Sequence, residues 1–230
     1  MKIQINQTKA NFKSEFEIFF DDNTSYYAKA SWVSRIFNCT LFDKENNLLL
    51  KTAYDVKTNW RNKIPLKWLA GSPKLSRACN LMDAENEKGV FLLSTTGFLK
   101  SFYLIAYKDM VLRGYVVAKG ATKYIALYDS QKDEQVGLVV KPLDVDNNLD
   151  KYTLYLLDDT NCDPVVLSFF VVYYDNWNCG NQGEVVLHKR EISREWSWSK
   201  YNKKYDPDWL SKHFPVFKWS DLPGKEREIK

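Results

Sequence analysis

The chain reads as mainly β: roughly ten to twelve short strands closing, or nearly closing, into an antiparallel barrel around one central buried hydrophobic helix at about 163–175. Three observations predict this. Short segments with apolar residues at every second position recur along most of the chain. The aromatic load is high, with 14 Tyr, 13 Phe and 8 Trp in 230 residues, and such rings favour strands. Between Asp163 and Asp175 lies one uncharged and almost wholly apolar run. A helix apolar on every side must be buried on every side, so sheet has to wrap it.

Taken in order, Phe12, Phe16, Ile18 and Phe20 alternate with polar neighbours up to the turn Asp21-Asp22-Asn23. Tyr26 to Val33 is a second strand. Ile36 to Phe42, the polar tip 43–47 and Leu48 to Tyr54 read as a hairpin. Val90 to Ser94, Phe98 to Tyr107 and Val111 to Ala118 continue the pattern, punctuated by Gly97 and Gly114. Tyr124 to Tyr128 and Val136 to Val140 form another hairpin across the polar loop 129–133. Tyr152, Leu154 and Leu156 alternate in a last strand before the helix, and Val185 to Leu187 reads as a short closing strand.

The helix has a start signal, with Asp163 as N-cap and Pro164 at the first helical position. Val and Phe also favour strands, but the run exceeds the usual strand length. At about 1.5 Å per residue it is too short for the ~20 apolar residues that a membrane span needs.

Here the sequence resembles the tubby C-terminal-like superfamily, which includes tubby domains, phospholipid scramblases and LURP-one-related proteins. The resemblance is carried by Tyr152-Thr153-Leu154-Tyr155-Leu156-Leu157-Asp158-Asp159, a short loop, and the run from Asp163 to Asp175. The acidic stretch Asp144-Val145-Asp146-Asn147 also looks like the scramblase segment that precedes an apolar helix. The resemblance implies a twelve-stranded barrel threaded by a central helix and a protein that meets anionic phosphoinositides. It covers residues from about 12 to 188, within a barrel domain expected at 1–188; residues 189–230 form a basic, Trp-rich arm expected to pack on the barrel.

Composition excludes several classes. Hydrophobic residues make up 45% and charged residues 27%, so the chain is globular. Cys39, Cys79, Cys162 and Cys179 form no CxxC pair, which argues against zinc. A helix between Cys162 and Cys179 holds them too far apart for a disulfide. Reduced thiols, and no apolar leader at Met1 to Lys9, point to a cytoplasmic protein.

No catalytic motif stands out. His188 and His213 belong to no HExxH or spaced metal pair, and no nucleophile elbow or phosphate loop occurs. Cys179 beside Gly180, with His188 downstream, reads as a polar turn. We therefore expect a non-enzymatic protein with no cofactor. Asp144, Asp146, Asn148 and Asp150 begin like an EF-hand loop, but Leu149 and Tyr155 stand where Gly and Glu are required. A looser calcium site on Asp144, Asp146 and Asp150 is the remaining metal candidate.

Anion-binding candidates come from basic loops. Lys119 and Lys123 flank a tip containing Gly120, whose backbone amides can approach an oxyanion. Lys57, Arg61 and Lys63 read as a second basic loop around Trp60. No local motif fixes the family's own lipid-contacting residues here, so none is transferred.

The arm adds Lys203 and Lys204, and carries eleven basic and seven acidic side chains, an excess equal to the whole chain's +4. It also holds Trp196, Trp198, Trp209 and Trp219. Three roles fit: a strap across the barrel, contact with a membrane or a protein partner, or stacking on nucleic acid. Interspersed acids disfavour nucleic acid, and Pro207, Pro215 and Pro223 break any long amphipathic helix. The leading expectation is a binding or scaffold protein at an anionic lipid surface, peripheral to the membrane. The alternative is an interaction module that docks a partner, or a second copy, through the arm.

Overall fold

The computed structural model describes residues 1–10, 13–20, 23–33, 36–61, 72–83, 86–119, 122–142, 149–178 and 202–214. Twelve strands form one closed antiparallel barrel: β1 (Lys2–Lys9), β2 (Lys13–Phe20), β3 (Asn23–Val33), β4 (Ile36–Asp43), β5 (Leu48–Tyr54), β6 (Lys74–Asp83), β7 (Asn86–Gly97), β8 (Lys100–Tyr107), β9 (Met110–Lys119), β10 (Thr122–Asp129), β11 (Gln135–Pro142) and β12 (Lys151–Leu156). Neighbours in sequence are neighbours in the sheet, and β1 closes the circle against β12 with Ile3 opposite Leu154 and Ile5 opposite Tyr152. Helices α1 (Val56–Arg61), α2 (Pro164–Asn178) and α3 (Trp209–His213) complete the described elements, with a short 3-10 turn at Asn202–Lys204.

Strand parity separates inside from outside. In β12, Tyr152, Leu154 and Leu156 join the central core, while Tyr155 joins a second cluster on the outer face. The core is filled by α2, whose residues from Val166 to Asn176 are all buried. Asp163 caps α2 as its sequence predicts, with Oδ1 accepting from the amides of Val165 (3.0 Å) and Val166 (3.1 Å). The Phe91 ring packs against Phe169, Phe170 and Tyr173 at centroid distances of 6.2, 5.4 and 5.1 Å. Such pairs add about 0.5–1.5 kcal/mol each beyond area burial.

The helix runs past Asp175, where its apolar pattern stops, because the polar residues there find partners in place. The Tyr152 hydroxyl donates to Asp175 Oδ1, and Asn178 Nδ2 donates to the Tyr174 carbonyl at 2.7 Å. Arg77 secures this end. Its guanidinium donates to the Tyr103 hydroxyl (2.7 Å) and to Asn178 Oδ1, and its carbonyl accepts from the Tyr173 hydroxyl. A cation at a helix C-terminus also complements the macrodipole.

Two strands escaped the sequence reading. In β1 only Ile3 and Ile5 are apolar among polar residues. In β6 a bulge between Ser76 and Cys79, with Arg77 at φ 55°, breaks the alternation. Two readings are corrected: the loop holding Lys57 and Arg61 is helix α1, and the run from Phe98 to Tyr107 begins with a hairpin tip at Phe98 and Leu99. The expected strand from Val185 to Leu187 lies outside the described residues.

The arm residues 202–214 lie along the outer face of β9 to β12. Tyr205, Trp209 and Leu210 are buried there against Val117, Tyr124, Ala126, Leu138, Val140 and Tyr155, with Trp209 only 4% exposed. The Tyr205 ring packs tilted against Tyr124, with centroids 4.5 Å apart. Trp196, Trp198 and Trp219 are outside the described residues.

Candidate functional site

An up-and-down barrel has two rims, and here their charge differs. The turns that follow odd-numbered strands lie at one end, where α2 finishes; those that follow even-numbered strands lie at the other, where α2 begins. The first rim carries Lys9, Lys13, Lys57, Lys74, Arg77, Lys100, Lys119 and Lys151. Among its described acids, Glu15 pairs with Lys9 at 3.4 Å, Asp150 pairs with Lys141, and Asp55 caps α1. The second rim carries Asp43, Glu45, Asp83, Glu87, Asp109, Asp129, Asp133, Glu134, Asp158 and Asp159 against Lys2, Lys44, Lys88, Lys108 and Lys132, with the Met1 ammonium paired to Asp158.

Part of this segregation complements the α2 macrodipole, worth about 0.3–1 kcal/mol per charge. That effect fades within a helical turn. It accounts for Arg77, which touches Asn178, but not for exposed lysines out on hairpin tips such as Lys13, Lys100 and Lys119. The macrodipole therefore leaves the exposed lysines of this rim unexplained.

Helix α1 is fixed on this rim by its polar side. Asp55 Oδ1 accepts from the Thr58 amide at 3.0 Å. Burial alone would raise the Asp55 carboxyl, but hydrogen bonds from Thr58 and Lys57 outweigh it and hold the group below the usual carboxylate range. Asn59 binds the Ala78 backbone twice, donating from Nδ2 to the carbonyl (2.8 Å) and accepting at Oδ1 from the amide (3.0 Å). With Asn59 facing β6, Val56 and Trp60 face outwards, 64% and 65% exposed, beside the exposed Lys57.

The β7–β8 tip is the other apolar feature of the same rim. Gly97 pairs with Lys100, leaving Phe98 and Leu99 as a two-residue turn, 67% and 39% exposed. Leu99 has φ 58°, a left-handed conformation that costs a side chain with a Cβ about 1–2 kcal/mol. Tight hairpins normally place Asn, Asp or Gly there.

The anion-binding candidates divide between surface and interior. Lys119 and Lys57 are exposed on the basic rim, where α1 ends at Arg61. Lys119 Nζ also lies 5.3 Å from the centroid of the Tyr205 ring. Lys123 is 8% exposed and stands directly across from Lys141 on the inward face of the barrel. Lys203 is exposed on the arm. Lys204 reaches towards the other rim, where it pairs with Asp133 at 2.6 Å over the rings of Tyr128 and Tyr115. The bond from Asp133, ahead of opposing desolvation, raises the Lys204 ammonium.

Of the metal candidates, Asp144 and Asp146 lie outside the described residues. Asp150 is held by Lys141, and its amide donates to Gln7 Oε1 at 3.0 Å. Among the described residues, no three His, Cys, Asp or Glu side chains could share an ion.

Next to Asp150 lies the fully buried Asp175. Among the described residues no donor reaches its Oδ2, and the Asp150 carboxylate is near enough to act on the group. A like charge beside a buried carboxylate favours its protonation. Burial, followed by the Asp150 charge and hydrogen bond, raises the Asp175 carboxyl well above its usual range, which favours the neutral acid.

The acidic rim has a cleft of about 590 Å³ between the β8–β9 tip, the β10–β11 tip and the loop before α2. Cys162 lines it, and burial raises that thiol, the opposite of what a nucleophile needs. Sequence reasoning missed Phe98 and Leu99 because an apolar pair beside a strand reads as more strand; Gly97 was the available signal. Comparison with protein-family models, with curated proteins and with solved structures finds no match.

Proposed function

We propose that this chain is a non-enzymatic binding or scaffold protein of tubby-like architecture that docks on anionic phospholipid, of phosphoinositide type, at the cytoplasmic face of a membrane. The observation that carries the reading is the charge division between the two rims. Lysines on separate hairpin tips face one way, as a flat polyanionic surface requires. A closed barrel filled by its own helix leaves the outside as the place to meet a ligand. Burial of Tyr205, Trp209 and Leu210 against the barrel turns these arm residues away from a partner.

Vesicle sedimentation tests the reading. The protein should sediment with vesicles containing phosphatidylserine or phosphoinositide at low salt, and not with phosphatidylcholine alone. Each basic side chain near such a surface is worth about 1 kcal/mol, so charge reversal of Lys13, Lys57, Lys100 and Lys119 together should weaken binding by at least about a thousandfold. Failure of the unaltered protein to sediment at low salt sinks the proposal.

A further inference from the structure

We infer that the basic rim inserts an apolar wedge, the Phe98–Leu99 tip with Val56 and Trp60 of α1, past the headgroups of an anionic bilayer. This rests on the lipid-docking reading above and adds the mode of contact.

Three observations carry it. First, the most exposed large apolar side chains of the described residues, Phe98, Trp60 and Val56, share the basic rim, with Leu99 beside Phe98. Met1, Leu48 and Tyr27 are also exposed but stand apart, the first two at the acidic rim and Tyr27 along β3. Second, the choice of residues at the β7–β8 tip opposes local backbone preference. The β8–β9 tip is an equally short turn at the acidic rim, and there the loop residues are Lys108 and Asp109, with Lys108 at φ 51°. The other positive-φ tip residues at that rim are Asn46 and Asp133. Polar residues thus occupy the positive-φ tip positions at the acidic rim, and leucine occupies one at the basic rim. A local rule broken on an exposed tip points to a contact made outside the chain. Third, Lys57, Lys100 and Lys119 stand on the same or the next turns of this rim, the arrangement of an interfacial anchor, with apolar groups at the acyl boundary and ammonium groups on phosphate.

The geometry also sets the orientation. Both features project from one end of the barrel, so the barrel stands on its basic rim with the C-terminus of α2 towards the bilayer. A two-residue tip and a helix of six residues reach the interface and go no deeper.

The test combines sedimentation with quenching of tryptophan fluorescence by brominated phosphatidylserine vesicles. The unaltered protein should be quenched, and Trp60→Phe should lose most of that quenching while still sedimenting. The double variant Phe98→Ser with Leu99→Ser should bind vesicles at low salt but at least tenfold more weakly at physiological salt, where electrostatics are screened. A far-ultraviolet circular dichroism spectrum checks that it folds. Sedimentation at low salt with no Trp60-dependent quenching, and no effect of the double variant, overturns insertion and leaves electrostatic docking intact. No sedimentation of the unaltered protein overturns both.

Discussion

Replacing Asp175 by Asn should make the protein progressively more stable than its parent as pH rises. Asp175 is fully buried, accepts from the Tyr152 hydroxyl at Oδ1, and feels the charge of Asp150. In the folded state its carboxyl is raised, by burial first and the Asp150 charge second. In the unfolded chain it titrates near the ordinary ~3.9. Between those two values the folded state holds a proton that the unfolded state has lost. Its contribution is therefore complete below the unfolded value and is lost as pH rises towards the folded one. Within that window each pH unit removes up to about 1.4 kcal/mol. Asn at this position can keep the Tyr152 bond and donate from Nδ2 to Asp150 without titrating. Urea unfolding of both proteins at pH 5, 6, 7 and 8 supplies the comparison, and common titrations cancel in the difference. The two should lie within about 1 kcal/mol of each other at the acid end. The gap should then widen in favour of Asn by up to about 1.4 kcal/mol per unit. A gap that stays constant or closes with pH would refute the neutral acid.

Leu99→Asn should stabilise the fold by about 1 kcal/mol in urea titrations, because Asn tolerates a positive φ, while weakening vesicle binding. A variant that is less stable would show that Leu99 has a structural role at the tip. Cys39 and Cys79 should resist a thiol reagent until urea unfolds the chain: burial pushes the Cys79 thiol up to about 12 and raises Cys39 further. Trp209→Ala should increase hydrogen exchange across 202–214, whereas the amides of β10 and β11 keep their protection, because the arm lies outside the closed sheet.

The barrel was legible wherever one face of a strand is wet, because alternation then records the two faces. It failed at β6, where Arg77 breaks the period, and at β1, where polar residues flank only Ile3 and Ile5. The start of α2 was legible because Asp163 and Pro164 act locally. Its end was not, since the Tyr152 bond that lets the helix run on through Asp175 comes from a residue distant in sequence. The site was harder still. Lys119 and Lys123 look alike beside a turn, yet the register pairs Lys119 with Thr122 and Lys123 with Ala118, which sends one outwards and the other into the core. Lys204 reads as a free cation until the fold places Asp133 next to it. Segregation of charge between rims depends on which hairpins turn at which end, a property of topology rather than of any segment.

The pairing of the first strand with the last has a consequence for how the chain reaches this state. Ile3 finds Leu154 only after the intervening strands exist, so the final seam joins segments about as distant in sequence as the fold allows. The plug is made later still, because α2 follows β12 in the chain. During synthesis the barrel therefore cannot close, nor its inner face be filled, until β12 and α2 have been made. That interval is when the nascent protein is most exposed to pairing with other chains, and a chaperone that shields the open edge of β1 would act there.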